Sequence, residues 1–214
     1  MVALGAKMVK VKICGITNVQ DALQAVCSGS DALGFTFYKR SPRYITPKKA
    51  CAIIRQLPAR TVKIGVFFNA RAKTIRQIAK ACHLDMIQLH GQESPAFCRK
   101  LKGLKIIKAF RVKTRLEKND ILRYNTCAYL FDSFTKAKPG GTGKAFNWKF
   151  IPHGQELKGI VFLSGGLDQN NVCKAIAAAH PQWVDVCSGV EARPGIKDHM
   201  KVKEFISRAK KVRA

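Results

Sequence analysis

Short apolar runs alternate with helical patterns from one end of the chain to the other. The strand-length runs are Val9–Ile13, Ala32–Tyr38, Val62–Phe68, Met86–Leu89, Ile106–Phe110, Ala128–Phe131, Ile160–Leu163 and Trp183–Val186. They are nearly continuous in hydrophobicity rather than alternating, the pattern of parallel strands covered on both faces. Between them lie helix-start signals. Thr17 with Gln20 has capping-box spacing, and Thr46-Pro47 and Ser94-Pro95 each put a capping hydroxyl before a proline at the first helical position. Helical patterns follow over Asp21–Ser28, Thr74–Ala81, Arg115–Tyr124, Asn170–Ala178 and His199–Val212, with a short one around Asn147–Ile151. Eight strand–helix units of roughly 27 residues each predict an α/β fold, a single-domain (β/α)8 TIM barrel over residues 1–214. Residues 1–8 read as a short N-terminal extension. A doubly wound open sheet needs a switch point and usually fewer strands, and no Gly-rich dinucleotide fingerprint follows the first strand.

In such a barrel the chemistry sits on the loops after the strands. The first strand tip carries Cys14, and the sixth carries Asp132. A thiol and a carboxylate on two tips read as a general base and a general acid facing one pocket. Leu163-Ser-Gly-Gly-Leu167 and Cys187-Ser-Gly-Val190 follow strands seven and eight, where backbone N–H groups of Gly165, Gly166, Ser188 and Gly189 can converge on a phosphate. Arg43, after the second strand, has a planar fork suited to a carboxylate or phosphate. Gln88, His90, Gly141 and Asp185 complete the expected pocket. Pro139 to Lys144 lacks the spacing of a P-loop and reads as a glycine-rich lid.

Composition changes the picture in two places. The eight cysteines include no CxxC pair and no metal-ligand spacing, which predicts a reduced cytoplasmic protein without a disulfide framework. No stretch has the apolar length of a membrane span. Thirty-nine basic residues against thirteen acidic ones give a net charge of +26. The bases are spread along the chain and no reading module accompanies them, so no specific nucleic-acid partner is expected.

Taken in order, KICGIT at 12–17, GFTFYKRSPRYI at 34–45, QLHG at 88–91, FDSF at 131–134, GGTGKAFNW at 140–148, LSGGL at 163–167 and VDVCSGVE at 184–191 resemble phosphoribosylanthranilate isomerase. The resemblance runs from about Val9 to the C-terminus. It implies the Amadori rearrangement of N-(5-phosphoribosyl)anthranilate to 1-(2-carboxyphenylamino)-1-deoxyribulose 5-phosphate, in tryptophan biosynthesis, with no cofactor and no metal. By that resemblance Cys14 is the base, Asp132 the acid, Arg43 the holder of the anthranilate carboxylate, and the Gly165-Gly166 and Ser188-Gly189 turns the phosphate site. A phosphorylated small molecule is the expected partner of a monomer or homodimer. The chain departs from the family in having Cys187 where many relatives have serine, and Asn147 where many have aspartate. The histidine-pathway sugar isomerase performs the same rearrangement, but it characteristically uses two aspartates, and Cys14 at the first tip argues against it.

Overall fold

A computed structural model describes residues 8–114, 116–133, 148–151, 157 and 159–212. Eight parallel strands close into a barrel in chain order: β1 (Lys10–Cys14), β2 (Ala32–Thr36), β3 (Val62–Phe67), β4 (Met86–Leu89), β5 (Ile106–Val112), β6 (Ala128–Ser133), β7 (Ile160–Leu163) and β8 (Trp183–Val186). β8 pairs back onto β1, with Lys12 opposite Asp185 and Ile13 opposite Val186. The expected strands are the observed ones, with ends displaced by one or two residues. Helices α1 (Val19–Cys27), α2 (Pro47–Ile54), α3 (Ala72–Ala81), α4 (Pro95–Lys100), α5 (Lys118–Leu122), α6 (Val172–Ala179) and α7 (His199–Lys211) follow β1 to β5, β7 and β8. The connection after β6 is described only at Trp148–Phe150, a short 3-10 turn, and at Ile151, Leu157 and Gly159. Gly141 and the glycine-rich 139–144 segment lie outside the described residues.

Local chemistry sets the helix starts. Thr46 and Ser94 accept hydrogen bonds from the backbone of Lys49 and Phe97, and each precedes a proline at the first helical position. The first helix differs from expectation. Asn18, not Thr17, caps it by accepting from the Asp21 N–H at 2.8 Å. Thr17 instead donates its hydroxyl proton to the Gly195 carbonyl. A residue with a better-placed acceptor one position on took the cap, and the threonine was left to join two loops.

Two cores hold the barrel. Inside it, Ala32, Ile64, Ala128, Leu130, Phe162 and Trp183 pack together, with the Phe162 and Trp183 rings stacked at 4.9 Å. Outside it, Val11, Ile13, Leu33, Phe35, Val184 and Val186 meet Ala175 and Ile176 of α6 and Phe205 and Ile206 of α7. Each such buried Val, Leu, Ile or Phe side chain stabilises the fold by roughly 1.5–3 kcal/mol. Above the inner apolar layer the interior turns polar, with Lys12, Gln88, Asp132 and Asp185 all buried.

A small hairpin was not legible as an element in the sequence. β9 (Glu191–Arg193) and β10 (Ile196–Lys197) run antiparallel after β8 and turn at Pro194-Gly195, where Gly195 has φ +84°. Three- and two-residue strands leave no periodicity to read. The hairpin matters because it brings Glu191 and Lys197 beneath the tip of β8 and hands the chain to α7, which Asp198 caps.

Candidate active site

The carboxyl ends of the strands surround a cavity of about 830 Å³. Cys14, Arg43, Gln88, His90, Asp132, Gly165, Gly166, Asp185 and Ser188 all lie on its wall, which unites nine of the expected site residues. Gly189 is not on the wall. A Cβ there would press into the Leu167 carbonyl, so this glycine lets the loops after β7 and β8 pack closely.

The carboxylate side is built on a chain of hydrogen bonds. Lys12 is fully buried, and its Nζ donates to Gln88 Oε1 at 2.7 Å and lies 3.0 Å from Asp185 Oδ2. An ammonium can only donate, so Gln88 must present its oxygen to Lys12 and its NH2 to His90 Nδ1, 2.7 Å away. His90 therefore keeps its proton on Nε2, assigned from the network, and directs it at Asp132 Oδ2, 3.0 Å away. Asp132 Oδ1 accepts the Ser133 N–H at 2.9 Å. Gly165 lies so close that a Cβ on it would come within 2.7 Å of Asp132 Oδ1. Its φ of +88° is one that a glycine adopts without penalty.

Sulfur and cations make up the opposite side. Burial works to lower the Lys12 pKa, but Asp185 and then Cys14 more than offset it, and the ammonium is held above its ordinary value. Cys14 and Cys187 both line the cavity as interacting neighbours. That interaction and burial push the Cys14 thiol well above its usual range, with Lys12 opposing. The same interaction pulls Cys187 down to about 7 against its own burial, helped by Lys197 and Arg43. Lys197 Nζ donates to the Cys187 carbonyl at 3.1 Å and approaches its Sγ at 3.9 Å. The two thiols thus lie near a buried cation.

Arg43 takes part differently from the simplest expectation. Its Nε and Nη2 grip Glu191, with Nη2 to Oε2 at 2.7 Å, and Lys197 Nζ binds the same carboxylate at 3.1 Å. The hydrogen bond to Glu191 raises the Arg43 pKa. Burial works to raise the Glu191 pKa, but Arg43 and Lys197 outweigh it and hold the carboxyl below its ordinary range. Glu191 and Lys197 are the functional-site residues that sequence reasoning missed. Their signal was weak: one scarce acidic residue and one of many lysines, joined only through the short hairpin. Arg111, at the tip of β5 and opposite Asp132 in register, sits over the Phe68 ring at 5.9 Å. No group of three or more metal-ligating side chains occurs among the described residues.

Residues 11–208 match the family model of N-(5'phosphoribosyl)anthranilate (PRA) isomerase. The chain belongs to this family. It is 49% identical over 207 residues to the N-(5'-phosphoribosyl)anthranilate isomerase of Pelobacter propionicus, covering 97% of this chain and 98% of that one. A phosphoribosyl anthranilate isomerase solved with reduced 1-(o-carboxyphenylamino)-1-deoxyribulose 5-phosphate superposes with a TM-score of 0.86 at 42% identity, over 96% of this chain and all of that one. Monomers generated from the dimeric Thermotoga maritima isomerase superpose at 0.85 and 41%, with the same coverage. Membership of the PRA isomerase family fits a barrel whose polar groups gather at one mouth.

Proposed function

We propose that this chain carries out the Amadori rearrangement of N-(5'-phosphoribosyl)anthranilate in tryptophan biosynthesis, with Asp132 as general acid and Cys14 as general base. The observation that carries this reading is the placement of a carboxylate and a thiol on the wall of one cavity in a PRA isomerase fold. Asp132 gives its proton to the ribose ring oxygen. The C1–O bond breaks, and the anthranilate nitrogen's lone pair forms an iminium at C1. That cation acidifies the C2 hydrogen, which Cys14 removes, and the resulting enaminol ketonises to the product. Hydrogen moves only within the substrate and through these groups, so the reaction calls for no redox cofactor.

The thiol pair supplies what the base needs. A lone buried thiol would be protonated near neutral pH. Here Cys187, beside Lys197, is the thiol that ionises more readily, and its thiolate takes the Cys14 proton so that Cys14 is the thiolate when the C2 proton must be removed. Gly165, Gly166 and Ser188 hold the phosphate where the loops after β7 and β8 meet. Arg43, already fixed by Glu191, faces the anthranilate carboxylate from the loop after β2. These residues belong to one chain, so the chemistry is the same in a monomer or a homodimer. We place the enzyme in the cytoplasm as one barrel domain. No helix among the described residues is long and apolar enough to cross a membrane, which fits that placement.

A coupled assay that makes phosphoribosylanthranilate in situ and follows the loss of its fluorescence tests the reading. Turnover by the wild-type chain supports it, and absence of turnover by folded protein rejects it.

A further inference from the structure

Off the cavity wall, between two helices outside the barrel, a second pair of sulfurs meets. Cys51 lies in α2, and Cys82 is the residue that ends α3. Their Sγ atoms are 2.7 Å apart and share a hydrogen that either can donate. Disulfide sulfurs stand about 2.0 Å apart, so a bond needs a closure of well under 1 Å. Each thiol also reaches across to the other helix's unit. Cys51 Sγ approaches the Ala81 carbonyl at 3.3 Å, and Cys82 Sγ the Pro47 carbonyl at 3.5 Å. Both side chains are therefore fixed towards one another rather than swinging in solvent.

We infer that Cys51 and Cys82 are a modification site, an oxidisable thiol pair that a hydroperoxide converts into a disulfide stapling α2 to α3. The two sulfurs differ in access, which orders the steps. Cys51 is partly exposed, while Cys82 is 1% exposed. The hydroperoxide meets Cys51 first and transfers an oxygen atom to its sulfur. The O–O bond breaks, the peroxide leaves as alcohol or water, and Cys51 becomes a sulfenic acid. Cys82 Sγ then attacks the Cys51 sulfur, and the S–OH bond breaks. The hydroxide leaves as water with the proton from Cys82. Two thiols lose two hydrogens, and one hydroperoxide is reduced. Burial and then Cys51 hold the Cys82 thiol up at about 12, which keeps it from reacting on its own. It acts as the resolving thiol only once its neighbour carries an oxygen.

The staple would close a loop that contains all of β3 and so tie two neighbouring strand–helix units together. Cross-linking a loop of this length restricts the unfolded chain and raises the melting temperature, here by roughly 5–10 °C. Neither sulfur is on the cavity wall, so the site is independent of the proposed reaction.

The test is to treat the folded, full-length chain with a small excess of hydrogen peroxide, then alkylate, digest and map it by mass, with melting followed in parallel. The expected result is a peptide joining Cys51 to Cys82, protection of those two thiols from alkylation with a loss of 2 Da on the linked peptide, and a higher Tm that dithiothreitol reverses. Cys51→Ser and Cys82→Ala, made separately, should each abolish the linked peptide and the rise in Tm. Both thiols remaining free would overturn the inference. So would sulfinic acid at Cys51 without a link, a link confined to Cys14 and Cys187, or a linked chain that melts no higher than the reduced one.

Discussion

His90 Nε2 stands 3.0 Å from Asp132 Oδ2, and the direction of that hydrogen bond is set two residues away by Lys12. Lys12 cannot accept, so Gln88 cannot turn, and His90 cannot move its proton to Nδ1. Asp132, the proposed general acid, is thereby oriented by a buried cation that never touches it. Gln88→Leu should release His90 Nδ1 while leaving the apolar packing in place. We expect kcat to fall about tenfold, the effect of roughly one lost hydrogen bond in the transition state, with little change in KM. Nitrogen-15 NMR should show His90 populating the Nδ1–H tautomer. A wild-type tautomer in the variant would separate His90 from Gln88 and refute the chain.

The two proposed proton carriers should fail in different ways from a binding residue. Asp132→Asn preserves shape and cannot deliver a proton, and Cys14→Ser replaces a thiol by a far weaker acid. Each should lower kcat by about 10²–10⁴ with a modest change in affinity for a product analogue. If calorimetry located the whole loss in affinity, the residue would be a binding group and its assignment wrong.

The thiol pair predicts a pH profile. The Cys187 thiol is pulled down to about 7 by its interaction with Cys14 and by Lys197 and Arg43, against burial and the Glu191 carboxylate. kcat/KM should therefore rise with pH through about 7 as the pair becomes monoanionic. In Cys187→Ser the charge has only Cys14 to rest on, still buried. The rising limb should then move up by about one pH unit or more while the plateau is largely kept. An unmoved limb would mean that Cys187 does not share the charge.

Much of this architecture is legible in residues 9–190. The eight apolar runs mark the strands because parallel strands buried on both faces cannot hide their composition, and strand tips expose polar exceptions such as Cys14 and Asp132. What was not legible came from three-dimensional proximity. Lys12 sits in an apolar strand, and nothing in its neighbours says that it points inward at Gln88 and Asp185. Glu191 and Lys197 belong to strands too short to show a period. Thr17 had the right spacing for a cap, yet Asn18 had the better acceptor. The turns proposed to hold phosphate were visible as glycines, but only the three-dimensional packing separates Gly165 and Gly166 on the wall from Gly189, which is not on it.

Glu191 ties the hairpin to Arg43 and Lys197, and its lowered pKa carries a sign. A carboxyl held lower in the folded state contributes stability above its unfolded value, about 4.3 for glutamate, and loses it as pH falls through the folded value. Glu191→Gln leaves buried Lys197 and half-buried Arg43 without their counter-charge and should cost roughly 3–5 kcal/mol near neutrality. The deficit relative to wild type should shrink on acidification, because wild type alone has this contribution to lose. Denaturant unfolding of both proteins between pH 7 and 3 measures it, and a deficit independent of pH would contradict the ion-pair account.

The final expectation separates phosphate recognition from the diffuse field of +26. Exposed charges are screened over about 8 Å at physiological salt, so a ligand drawn only by that field should bind progressively less well as salt rises. Backbone N–H groups of the turn after β7 would lie against the phosphate, where little electrolyte can enter. Gly166 lines the cavity and has φ +66°, a conformation that a β-branched residue adopts only with strain. Gly166→Val should therefore distort the turn and weaken binding of reduced 1-(o-carboxyphenylamino)-1-deoxyribulose 5-phosphate at least tenfold. The factor should be similar at every salt concentration, while both proteins lose some affinity in parallel as salt increases. Calorimetry across the series gives both numbers, and the Tm of the variant confirms that it is folded. Equal affinities for the two proteins would move the phosphate away from this turn. A difference that vanished at high salt would make it a matter of the general field rather than of Gly166.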